Sequence, residues 1–464
     1  LFICKGASFK EEYLNDAISQ GAICYISTIK YNTNIACIIV ENIYTTLSIL
    51  SSMYYNYPNK KLNVIGITGT KGKSTTAYYI KYILDEIAKA NKLKDTAIIS
   101  SIDTYDGIEN FESHLTTPES FDLFRHLNNA YQSGRENVVM EVSSQALKYD
   151  RVFSLDFDIG IFLNISEDHI SPVEHETFDD YFNSKLKIFK KCRVACVNLD
   201  SDNSDLILKT ALRDSKEVIT FSTKDSRADI YGYNIHKEKH NTIFNVKTAK
   251  YDREFCLTMP GLFNVENALA AISVSYIMNI GEKYVYEGLK KARSSGRMEV
   301  YESRDEKIVA IVDYAHNKLS FEKLFESTKA EYPGYRIVVI FGCPGKKAYI
   351  RRRDLGTIAG KNADKIYLVA EDPGYEPVEQ ISLDIANYVR QYTTNYELIE
   401  DRGEAIEAAI KEIMLINQKT VILITGKGNE TRQKYGCEYL PCKTDVEYVK
   451  KYIEQYENKM EAKI

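Results

Sequence analysis

The sequence has neither a strong charge of one sign nor a long hydrophobic run. Its 464 residues carry a formal net charge of −5, which is too small to indicate a nucleic-acid partner or an anionic membrane surface. No apolar run reaches the roughly 20 residues that a membrane-spanning helix requires. We therefore expect no nucleic-acid partner and no membrane insertion.

The sequence also lacks paired cysteines. None of its nine cysteines belongs to a C-x-x-C pair, the spacing typical of zinc sites and redox motifs. Their number is odd, and several, such as Cys37 in ACIIV, lie in apolar runs. This distribution favours buried, reduced thiols in a cytosolic protein over a disulfide framework or a zinc site.

Strand-like apolar runs alternate with helix-like runs along nearly the whole chain. Runs such as NVIGIT, FDIGIFLNIS, RIVVIFG and TVILITG are typical of parallel strands covered on both faces, so we predict an α/β fold. The length predicts two to four domains, and we place them at residues 1–61, 62–296 and 297–464. The stretch 227–260 alternates polar and apolar residues, which predicts an antiparallel hairpin. Leu1 begins a segment typical of a strand in progress, so we expect the natural sequence to begin earlier.

Residues 66–76 read GITGTKGKSTT, between a predicted strand and a predicted helix. Glycines let the backbone approach an anion, and amides at a helix N-terminus bind phosphate oxygens. The spacing differs from the ordinary P-loop, G-x-x-x-x-G-K-[ST], because Ile67 stands where the first glycine belongs. We nevertheless predict a phosphate-binding loop, in which Lys73 neutralises charge and Ser74 or Thr75 binds Mg²⁺. The alternative is a plain glycine turn with an exposed lysine.

Acidic and histidine side chains follow two other predicted strands. Glu141 lies near the end of VVMEVSS, where a metal ion or an ordinary ion pair would compensate the cost of a buried carboxylate. Asn164, Asp168 and His169 lie in FLNISEDHIS, at the end of another predicted strand. Ligands of open α/β sheets gather at the carboxyl ends of strands, so we expect the glycine-rich loop, Glu141 and His169 to share one crevice. The alternative for His169 is a structural histidine.

Three further charged clusters follow strands in the last third of the chain. Asp313 and His316 lie in VDYAH, and Gly426, Lys427 and Glu430 lie in ITGKGNE. The segment CPGKKAYIRRRD carries five basic residues, which would suit a carboxylate or a phosphate. A solvated loop is the alternative for this segment.

Together these motifs resemble those of the Mur ligase superfamily. TGTKGKSTT is similar to its ATP-binding loop, which has the same shortened spacing. TTPES, MEVSSQAL, NISEDH, GLFNVENALAA, GRMEV, DYAH and GKGNE are similar, in this order, to successive motifs of its MurE branch. The resemblance implies a three-domain Mur ligase architecture with a central P-loop-type parallel sheet and a Rossmann-like C-terminal domain. The first domain would bind the uridine nucleotide of the substrate.

The resemblance also implies a reaction. In this branch ATP phosphorylates the carboxylate of UDP-MurNAc-L-Ala-D-Glu, and the amine of an amino acid then displaces the phosphate to add the third residue of the peptidoglycan stem. ATP and Mg²⁺ are therefore the expected cofactors, and a monomer in the bacterial cytoplasm is the expected form. One alternative is another amide ligase of the superfamily, such as a folylpolyglutamate or cyanophycin-type synthetase. A P-loop ATPase that does not ligate and a catalytically silent binding module are the others.

The resemblance carries family roles onto matching residues. The residues expected to bind ATP are Gly69, Thr70, Lys71, Gly72, Lys73, Ser74, Thr75, Asn264, Asn267, Arg297, Asp313 and His316. The expected catalytic residues are Lys73, Glu141, His169 and Lys185, and the expected Mg²⁺ ligands are Ser74, Glu141, His169 and Lys185 as a carbamate (N6-carboxylysine). Lys185 fits the Tyr-x-x-x-Lys pattern of the carbamylated lysine, and Lys187 is its nearby competitor. The residues expected to hold the muramoyl-peptide are Thr116, Thr117, Ser143 and Arg151.

The predicted amino-acid site departs from one family pattern. Members of the branch that use meso-diaminopimelate carry Asp-Asn-Pro-Arg, whose arginine binds the distal carboxylate. Here the segment reads Glu371, Asp372, Pro373 and Gly374, so that arginine is missing, and two acids suit a distal ammonium. We therefore predict L-lysine or another diamine such as L-ornithine, although an arginine of RRRD could compensate. The expected site residues are Arg352 (on the α-carboxylate), Glu371, Asp372, Gly374, Gly426 and Glu430.

Overall fold

A computed structural model describes residues 1–6, 9–167, 170, 174–238, 241–293, 296–346, 349–416 and 418–461. The chain divides into two compact units. Unit 1 comprises Leu1–Ile165, Pro172–Tyr231 and Leu269–Gly288, and unit 2 comprises Ser166–Ser171, Gly232–Ala268 and Leu289–Ile464. No helix in the described part of the chain is long and apolar enough to cross a membrane.

Unit 1 begins with a small α/β layer. Its elements are β1 (Phe2–Ile3), α1 (Glu11–Ser19), β2 (Cys24–Ser27), β3 (Ala36–Ile39), α2 (Ile43–Tyr54) and a 3-10 helix (Pro58–Lys61). The three strands form a parallel sheet in the order β1-β2-β3. Leu14 of α1 packs against this sheet in a small core with Cys4 and Tyr25.

The middle of the chain contains the longest run of alternating elements. In chain order they are β4 (Asn63–Thr68), α3 (Lys73–Ala90), β5 (Ala97–Ile99), β6 (Asp103–Tyr105), β7 (Asn110–Glu112), α4 (Ser120–Gln132), β8 (Asn137–Glu141), α5 (Ser144–Lys148), β9 (Phe157–Phe162), α6 (Phe178–Leu186), a 3-10 helix (Lys187–Lys191), β10 (Cys192–Asn198), α7 (Ser204–Asp214), β11 (Glu217–Ser222), β12 (Ile230–Glu238), β13 (Asn241–Lys247), β14 (Asp252–Leu257), α8 (Asn264–Ile277) and α9 (Glu282–Lys291).

Strand β4 lies between β8 and β9 in the large sheet of unit 1 and pairs in parallel with both. β5 and β10 extend the sheet in parallel on either side. These strands are continuously apolar and almost fully buried, as expected for a parallel sheet covered on both faces. The register pairs Ile67 with Glu141 and Thr68 with Phe162. The carboxyl ends of β4, β8 and β9 therefore lie side by side.

The antiparallel hairpin predicted within residues 227–260 is present. β13 and β14 pair antiparallel, from Thr242 opposite Leu257 to Lys247 opposite Asp252.

The last part of unit 2 is a second α/β layer. Its elements are β15 (Glu299–Glu302), β16 (Ile308–Asp313), α10 (Lys318–Glu331), β17 (Arg336–Phe341), α11 (Tyr349–Asn362), β18 (Lys365–Leu368), α12 (Val378–Val389), β19 (Tyr396–Leu398), α13 (Arg402–Ile416), β20 (Thr420–Thr425), β21 (Arg432–Tyr435), β22 (Glu438–Pro441) and α14 (Asp445–Glu461).

Six of these strands form one sheet in the order β15-β16-β20-β17-β18-β19, with β15 antiparallel and the others parallel. Helices α10, α11 and α12 cover one face, and α13 and α14 cover the other. The register pairs Asp313 with Thr425. The segments DYAH and GKGNE therefore follow neighbouring strands and begin at the same edge of the sheet.

Candidate active site

The glycine-rich loop joins β4 to α3 at the carboxyl end of β4. Gly69 and Gly72 have φ of +154° and +82°, values that side chains disfavour. A Cβ on Gly69 would also lie 2.9 Å from Leu163 Cβ. The loop therefore requires glycine at both positions. Its amides and the first turn of α3, an 18-residue helix, form an anion-binding arrangement.

Asn164 fixes the shape of this loop. Its Oδ1 accepts a hydrogen bond from Lys71 N (2.8 Å), its Nδ2 donates to Lys71 O (3.1 Å), and its backbone O accepts from Thr70 N (3.0 Å). Lys73 Nζ donates to Gly69 O (3.0 Å) and to Thr70 O (3.3 Å). The Lys73 ammonium is therefore held against the loop, where it would neutralise the charge of a bound phosphate.

Glu141 ends β8 and is only 1% exposed. Its Oε1 accepts hydrogen bonds from Ser101 N (2.9 Å) and Ser101 Oγ (3.2 Å), and Ser101 Oγ lies 3.1 Å from Ser74 Oγ. One serine thus links a hydroxyl of α3 to a buried carboxylate, and Mg²⁺ prefers oxygen donors of these two kinds. Thr75, the predicted alternative to Ser74, is buried in the same turn. His169, another predicted ligand, lies outside the described residues.

Lys185 reaches the same loop from α6. Its side chain is 2% exposed, its Nζ donates to Gly69 O (2.9 Å), and Nζ lies 4.6 Å from the centroid of the Tyr181 ring. Tyr181, one helical turn earlier, places its hydroxyl 3.1 Å from Thr70 Oγ1. The competing Lys187 instead donates to Leu147 O (3.4 Å). Of the two lysines, Lys185 is therefore the one held at the glycine-rich loop.

The residues predicted to hold the muramoyl-peptide cluster after β8. Thr117 Oγ1 donates to Glu141 O (2.9 Å) and accepts from Ser143 N (2.9 Å). Ser143 caps α5, with its hydroxyl accepting from Ala146 N (3.1 Å). Arg151 donates to Thr117 O (3.2 Å) and pairs with Glu119 (2.8 Å). Thr116, the residue before Thr117, is half-buried.

His175 is a site residue that the sequence did not single out. It is fully buried, and its Nε2 and Nδ1 lie 2.9 Å from Ser144 Oγ and 3.0 Å from Asp180 Oδ2. Burial lowers the pKa of His175, which favours the neutral ring, and in that form one ring nitrogen donates and the other accepts. Lys148 also binds Asp180 (2.6 Å). This network fastens α6, which carries Lys185, to α5.

The residues of unit 2 that are predicted to bind the nucleotide form two groups. Asn267 Nδ2 donates to Asn264 Oδ1 (3.0 Å) in the first turn of α8. In the second group, Asp313 accepts from Met298 N (2.9 Å) and Ala315 N (2.8 Å). His316 Nδ1 lies 2.7 Å from Tyr314 O. Arg297 lies over the Tyr314 ring, with its Cζ 4.6 Å from the ring centroid.

Lys427 organises the predicted amino-acid residues. Its Nζ binds Glu430 Oε2 (2.5 Å), Asp372 Oδ1 (3.0 Å) and Arg432 O (2.7 Å), and its side chain is 4% exposed. Lys434 N also donates to Asp372 Oδ1 (2.9 Å). Two of the three acids predicted to face the amino acid are therefore already paired with a lysine of the protein.

Glu371 is the third acid, and it differs from the other two. It is 8% exposed, and its Oε2 has no hydrogen-bond partner among the described residues. Burial raises the pKa of Glu371 to about 7, although Arg402, Arg351 and Lys427 oppose the shift. Two neighbouring buried atoms, Arg402 Nη1 and Thr425 Oγ1, are also unpaired within the described part of the chain. Such a group of unsatisfied polar atoms suits a polar ligand.

Arg352 and Gly374 are two more of the residues predicted to form the amino-acid site. Arg352 binds Glu376 through both Nη atoms (2.8 and 2.7 Å) and Asp384 (2.8 Å), and its side chain is 2% exposed. Gly374 has φ of +58° and pairs with Tyr435 in an isolated bridge. The structure thus gives Arg352 two carboxylates of the protein, whereas the prediction assigns it to the α-carboxylate of a substrate.

Gly426 gives a direct test of how closely Glu371 is held. Gly426 has φ of +100°, and a Cβ there would lie 2.2 Å from Glu371 Oε2. We expect Gly426→Ala to displace the Glu371 carboxylate and to lower the apparent affinity for the amino-acid substrate by about tenfold or more, since strain and displacement together exceed about 1.4 kcal/mol. Substrate titration in a steady-state assay measures this.

Gly334→Ala is the matched control, because Gly334 has φ of +82° and no atom within 4 Å of its Cβ position. Both variants would lose some stability from the backbone strain, and only Gly426→Ala should lose substrate affinity. Equal affinities would contradict the close packing of Gly426 and Glu371.

Asp106, Glu109 and His126 lie close enough together to hold a metal ion. However, Asp106 Oδ1 already accepts from Ile108 N (2.9 Å) and Glu109 N (2.7 Å), and its Oδ2 contacts His126 Nδ1 (2.7 Å) and Asn129 Nδ2 (2.9 Å). Burial raises the pKa of Asp106, but these donors outweigh burial and lower it to about 2. The saturated carboxylate fastens the β6–β7 hairpin to α4, which is a structural role.

Five further residues support the predicted ones: Ser101, Asn164, Tyr181, Tyr314 and Lys427. The sequence placed Asn164 and Lys427 after predicted strands and Tyr181 in the Tyr-x-x-x-Lys pattern, but it assigned none of the five a specific contact in the site. Asn164, Tyr314 and Lys427 stand inside the recognised motifs, so the motifs were a usable signal for them. Ser101 is 40 positions from Glu141 and carries no comparable signal.

Two family models match the chain. The model described as Mur ligase middle domain matches residues 67–275, and the model described as Mur ligase, glutamate ligase domain matches residues 296–428. Together they cover both the glycine-rich loop and the GKG segment before Asn429.

Similar proteins carry matching names. The chain is 37% identical over 441 residues to UDP-N-acetylmuramoyl-L-alanyl-D-glutamate--L-lysine ligase of Enterococcus faecalis, covering 94% of this chain and 85% of that protein. It is 34% identical over 475 residues to UDP-N-acetylmuramyl-tripeptide synthetase of Ligilactobacillus salivarius, covering 98% and 91%.

Solved structures show the same fold. A UDP-N-acetylmuramoyl-L-alanyl-D-glutamate--2,6-diaminopimelate ligase superposes with a TM-score of 0.65 at 23% identity, covering 98% of this chain and 92% of that one. MurF ligase of Thermotoga maritima, solved in complex with ADP, superposes with a TM-score of 0.64 at 18% identity, covering 99% and 95%. The predicted Mur ligase fold and family are therefore confirmed: this chain belongs to the Mur ligase family.

Proposed function

We propose that the chain is an ATP-dependent ligase that joins L-lysine to the carboxylate of UDP-MurNAc-L-Ala-D-Glu, as a monomer in the bacterial cytoplasm. The observation that carries the proposal is the arrangement around Gly69. Lys73 and Lys185 both donate to its carbonyl oxygen, and the buried carboxylate of Glu141 is linked to the same loop through Ser101 and Ser74. The names of the relatives support L-lysine as the amino acid.

The first half of the reaction brings two anions together. A carboxylate oxygen of the muramoyl-peptide attacks the γ-phosphorus of ATP, ADP leaves, and an acyl phosphate forms. The loop amides and Lys73 would neutralise the phosphates, which lowers the repulsion that otherwise keeps the reactants apart. Thr116, Thr117, Ser143 and Arg151 would hold the peptide. Asn264, Asn267, Arg297, Asp313 and His316 would bind the nucleotide.

Ser74 and Glu141 offer a hydroxyl and a carboxylate that suit Mg²⁺, and we assign the site to them with His169 and a carbamylated Lys185. A bound ion would neutralise charge that develops on the transferred phosphate. Carbamylation would leave Lys185 one N–H to donate to Gly69 O and would add a carboxylate. That conversion makes the buried side chain an anion, the form that a cation site favours.

The second half of the reaction needs an amino acid whose α-amine attacks the acyl phosphate. A distal ammonium would pair with Oε2 of Glu371, which has no hydrogen-bond partner among the described residues, because Asp372 and Glu430 already bind Lys427. Gly374 offers no cation to a distal carboxylate. Glu430 and Gly426 would position the amine, and Arg352 or the adjacent Arg351 would meet the α-carboxylate.

The proposal keeps the three predicted domains, 1–61, 62–296 and 297–464. The match to the middle-domain model ends at residue 275, and the match to the glutamate ligase domain model begins at residue 296. These limits support a domain boundary near residue 296.

The proposal is tested by phosphate release with ATP, UDP-MurNAc-L-Ala-D-Glu and an amino acid, together with mass spectrometry of the UDP-linked product. We expect phosphate release to require both substrates and the product to gain the mass of one lysine. L-Lysine should exceed L-ornithine and meso-diaminopimelate in kcat/KM. Phosphate release without either substrate would favour a non-ligating ATPase, and strong preference for meso-diaminopimelate would overturn the assignment of L-lysine.

A further inference from the structure

Tyr314 contacts two residues to which the proposed function gives different substrates. Its ring lies beneath the guanidinium of Arg297, with 4.6 Å between Arg297 Cζ and the ring centroid. Its hydroxyl donates to Glu430 Oε1 (2.9 Å). Arg297 is assigned to the nucleotide and Glu430 to the amino acid. Within unit 2, the Tyr314 side chain therefore contacts both a residue assigned to the nucleotide and a residue assigned to the amino acid.

Two described side chains hold the Glu430 carboxylate: Tyr314 on Oε1 and Lys427 on Oε2 (2.5 Å). Lys427 is itself fixed by Asp372 and by Arg432 O. Loss of the Tyr314 hydroxyl would leave the Glu430 carboxylate free to rotate about its Lys427 contact. The orientation of Glu430 therefore depends on Tyr314.

The hydroxyl of Tyr314 is suited to this donor role. Burial and the Glu430 carboxylate raise the pKa of Tyr314 above its ordinary value, while Arg297 lowers it by less. The phenol consequently stays protonated throughout the physiological range and donates to Glu430.

The segment that carries Arg297 is fastened to the segment that carries Glu430. Asn429 Nδ2 donates to Glu299 Oε1 (3.3 Å), which also accepts from Gly296 N (2.6 Å). A Cβ on Gly296 would lie 2.8 Å from Asn429 N, and one on Gly428 would lie 2.9 Å from Gly296 O. The two backbones are thus in close contact, and a shift in one displaces the other.

We propose that Tyr314 is a positioning residue that couples the nucleotide side of the reaction to the amino-acid side, by orienting Glu430 through its hydroxyl and Arg297 through its ring. This inference rests on the proposed function. Binding of the amino acid at Glu430 then favours the arrangement of Arg297 that binds nucleotide, and by thermodynamic reciprocity nucleotide favours amino-acid binding.

Two substitutions separate the hydroxyl contact of Tyr314 with Glu430 from its ring contacts with Arg297 and with the His316 ring, whose centroid lies 4.9 Å away. Tyr314→Phe removes the hydroxyl and keeps the ring, so the KM for L-lysine should rise roughly tenfold, the usual scale for a hydrogen bond to a charged group. At low L-lysine concentration, where the coupling contributes little, the KM values for ATP and for the UDP-linked substrate should stay within about twofold of the wild type. Tyr314→Leu removes the ring as well, so the KM for ATP should also rise, by roughly three- to fivefold as for a cation–π contact.

Tyr367→Phe is the matched control. Tyr367 is a buried tyrosine of the same sheet, and its hydroxyl donates to Glu412 Oε2 (3.1 Å). This variant reports the effect of losing a tyrosine–glutamate hydrogen bond that lies outside the site, and its three KM values should match those of the wild type.

Calorimetry supplies a second measurement that a purely structural role would not move. The Kd for ADP of the wild type, measured with and without saturating L-lysine, should differ severalfold, and Tyr314→Phe should abolish that difference. An unchanged KM for L-lysine in Tyr314→Phe, or an equal rise in all three KM values, would overturn the role of Tyr314. A wild type that ligates no amino acid would instead overturn the proposed function.

Discussion

Replacing Lys185 by alanine is expected to lower the rate of ligation about 1,000-fold or more, the scale on which loss of a preorganised charged group slows catalysis. The reason is the position of Lys185 rather than its charge alone. Its Nζ is buried against Gly69 O, beside the loop that is assigned to the phosphates of ATP. If the side chain is carbamylated, alanine removes both the hydrogen bond to the loop and the added carboxylate.

Lys187→Ala is the internal control for this experiment. Lys187 is two residues away, and its Nζ donates to Leu147 O rather than to the glycine-rich loop. We expect this variant to retain nearly full activity. An equal loss in both variants would point to damage to the α6 region, and an active Lys185→Ala would refute the assigned role.

The carbamate itself can be observed without an assay of activity. The wild type equilibrated with ¹³C-bicarbonate should show one ¹³C carbamate resonance that is missing in Lys185→Ala and present in Lys187→Ala. Removal of dissolved CO₂ should lower the activity of the wild type, and added bicarbonate should restore it. Bicarbonate should not restore Lys185→Ala. A carbamate signal that survives in Lys185→Ala would move the modification to another lysine.

The parts of the site that lie close together in sequence were predictable. The glycine-rich loop, its lysine and the first turn of the helix that follows lie within eleven consecutive residues, 66–76, so spacing and local propensity are enough to predict their arrangement. The strand ends carrying Glu141 and Asp313 were predictable for a related reason. Continuous apolar runs identify buried parallel strands, and the carboxyl ends of such strands share an edge.

The parts that depend on tertiary contacts were not predictable. The resemblance assigned the carbamate role to Lys185 with Lys187 as its competitor, and spacing alone could not show which of the two reaches Gly69. The assignment of Arg352 to a substrate carboxylate stays a prediction, and it did not anticipate Glu376 and Asp384, 24 and 32 positions away, which bind that guanidinium. Sequence also treated Glu371 and Asp372 as equivalent acids, whereas Lys427, 55 positions from Asp372, pairs with only one of them.

Neutralising Glu371 is expected to give the second large effect. Glu371→Gln should raise the KM for L-lysine about 100-fold at pH 8, because an amide cannot pair with the distal ammonium and a charged hydrogen bond in a buried site contributes about 3 kcal/mol. Asp372→Asn is the matched control. Its carboxylate is already bound to Lys427 and Lys434 N, so we expect a smaller rise in KM. Wild-type KM in Glu371→Gln would refute the assignment.

The pH dependence identifies Glu371 more sharply than the substitution alone. The pKa of about 7 means that the free carboxyl is protonated at low pH, and lysine binding must remove that proton. The KM for L-lysine should therefore rise about tenfold for each pH unit below 7 and level off above 7, whereas Glu371→Gln should show no such slope from pH 6 to 8.

The stability of the protein should change with pH in a linked way. The folded pKa of Glu371 is raised above the ordinary 4.5, so the carboxyl is easier to ionise in the unfolded chain. Its contribution to the free energy of unfolding is complete below about pH 4.5 and is lost as pH rises toward 7, by about 3 kcal/mol in total. Glu371→Gln should remove this decline, and saturating L-lysine should oppose it in the wild type, because the bound ammonium stabilises the ionised carboxylate. If the free energy of unfolding of Glu371→Gln still falls between about pH 4.5 and 7, a different acid titrates in this range. The recognition of the distal ammonium would then be assigned to that acid instead of Glu371.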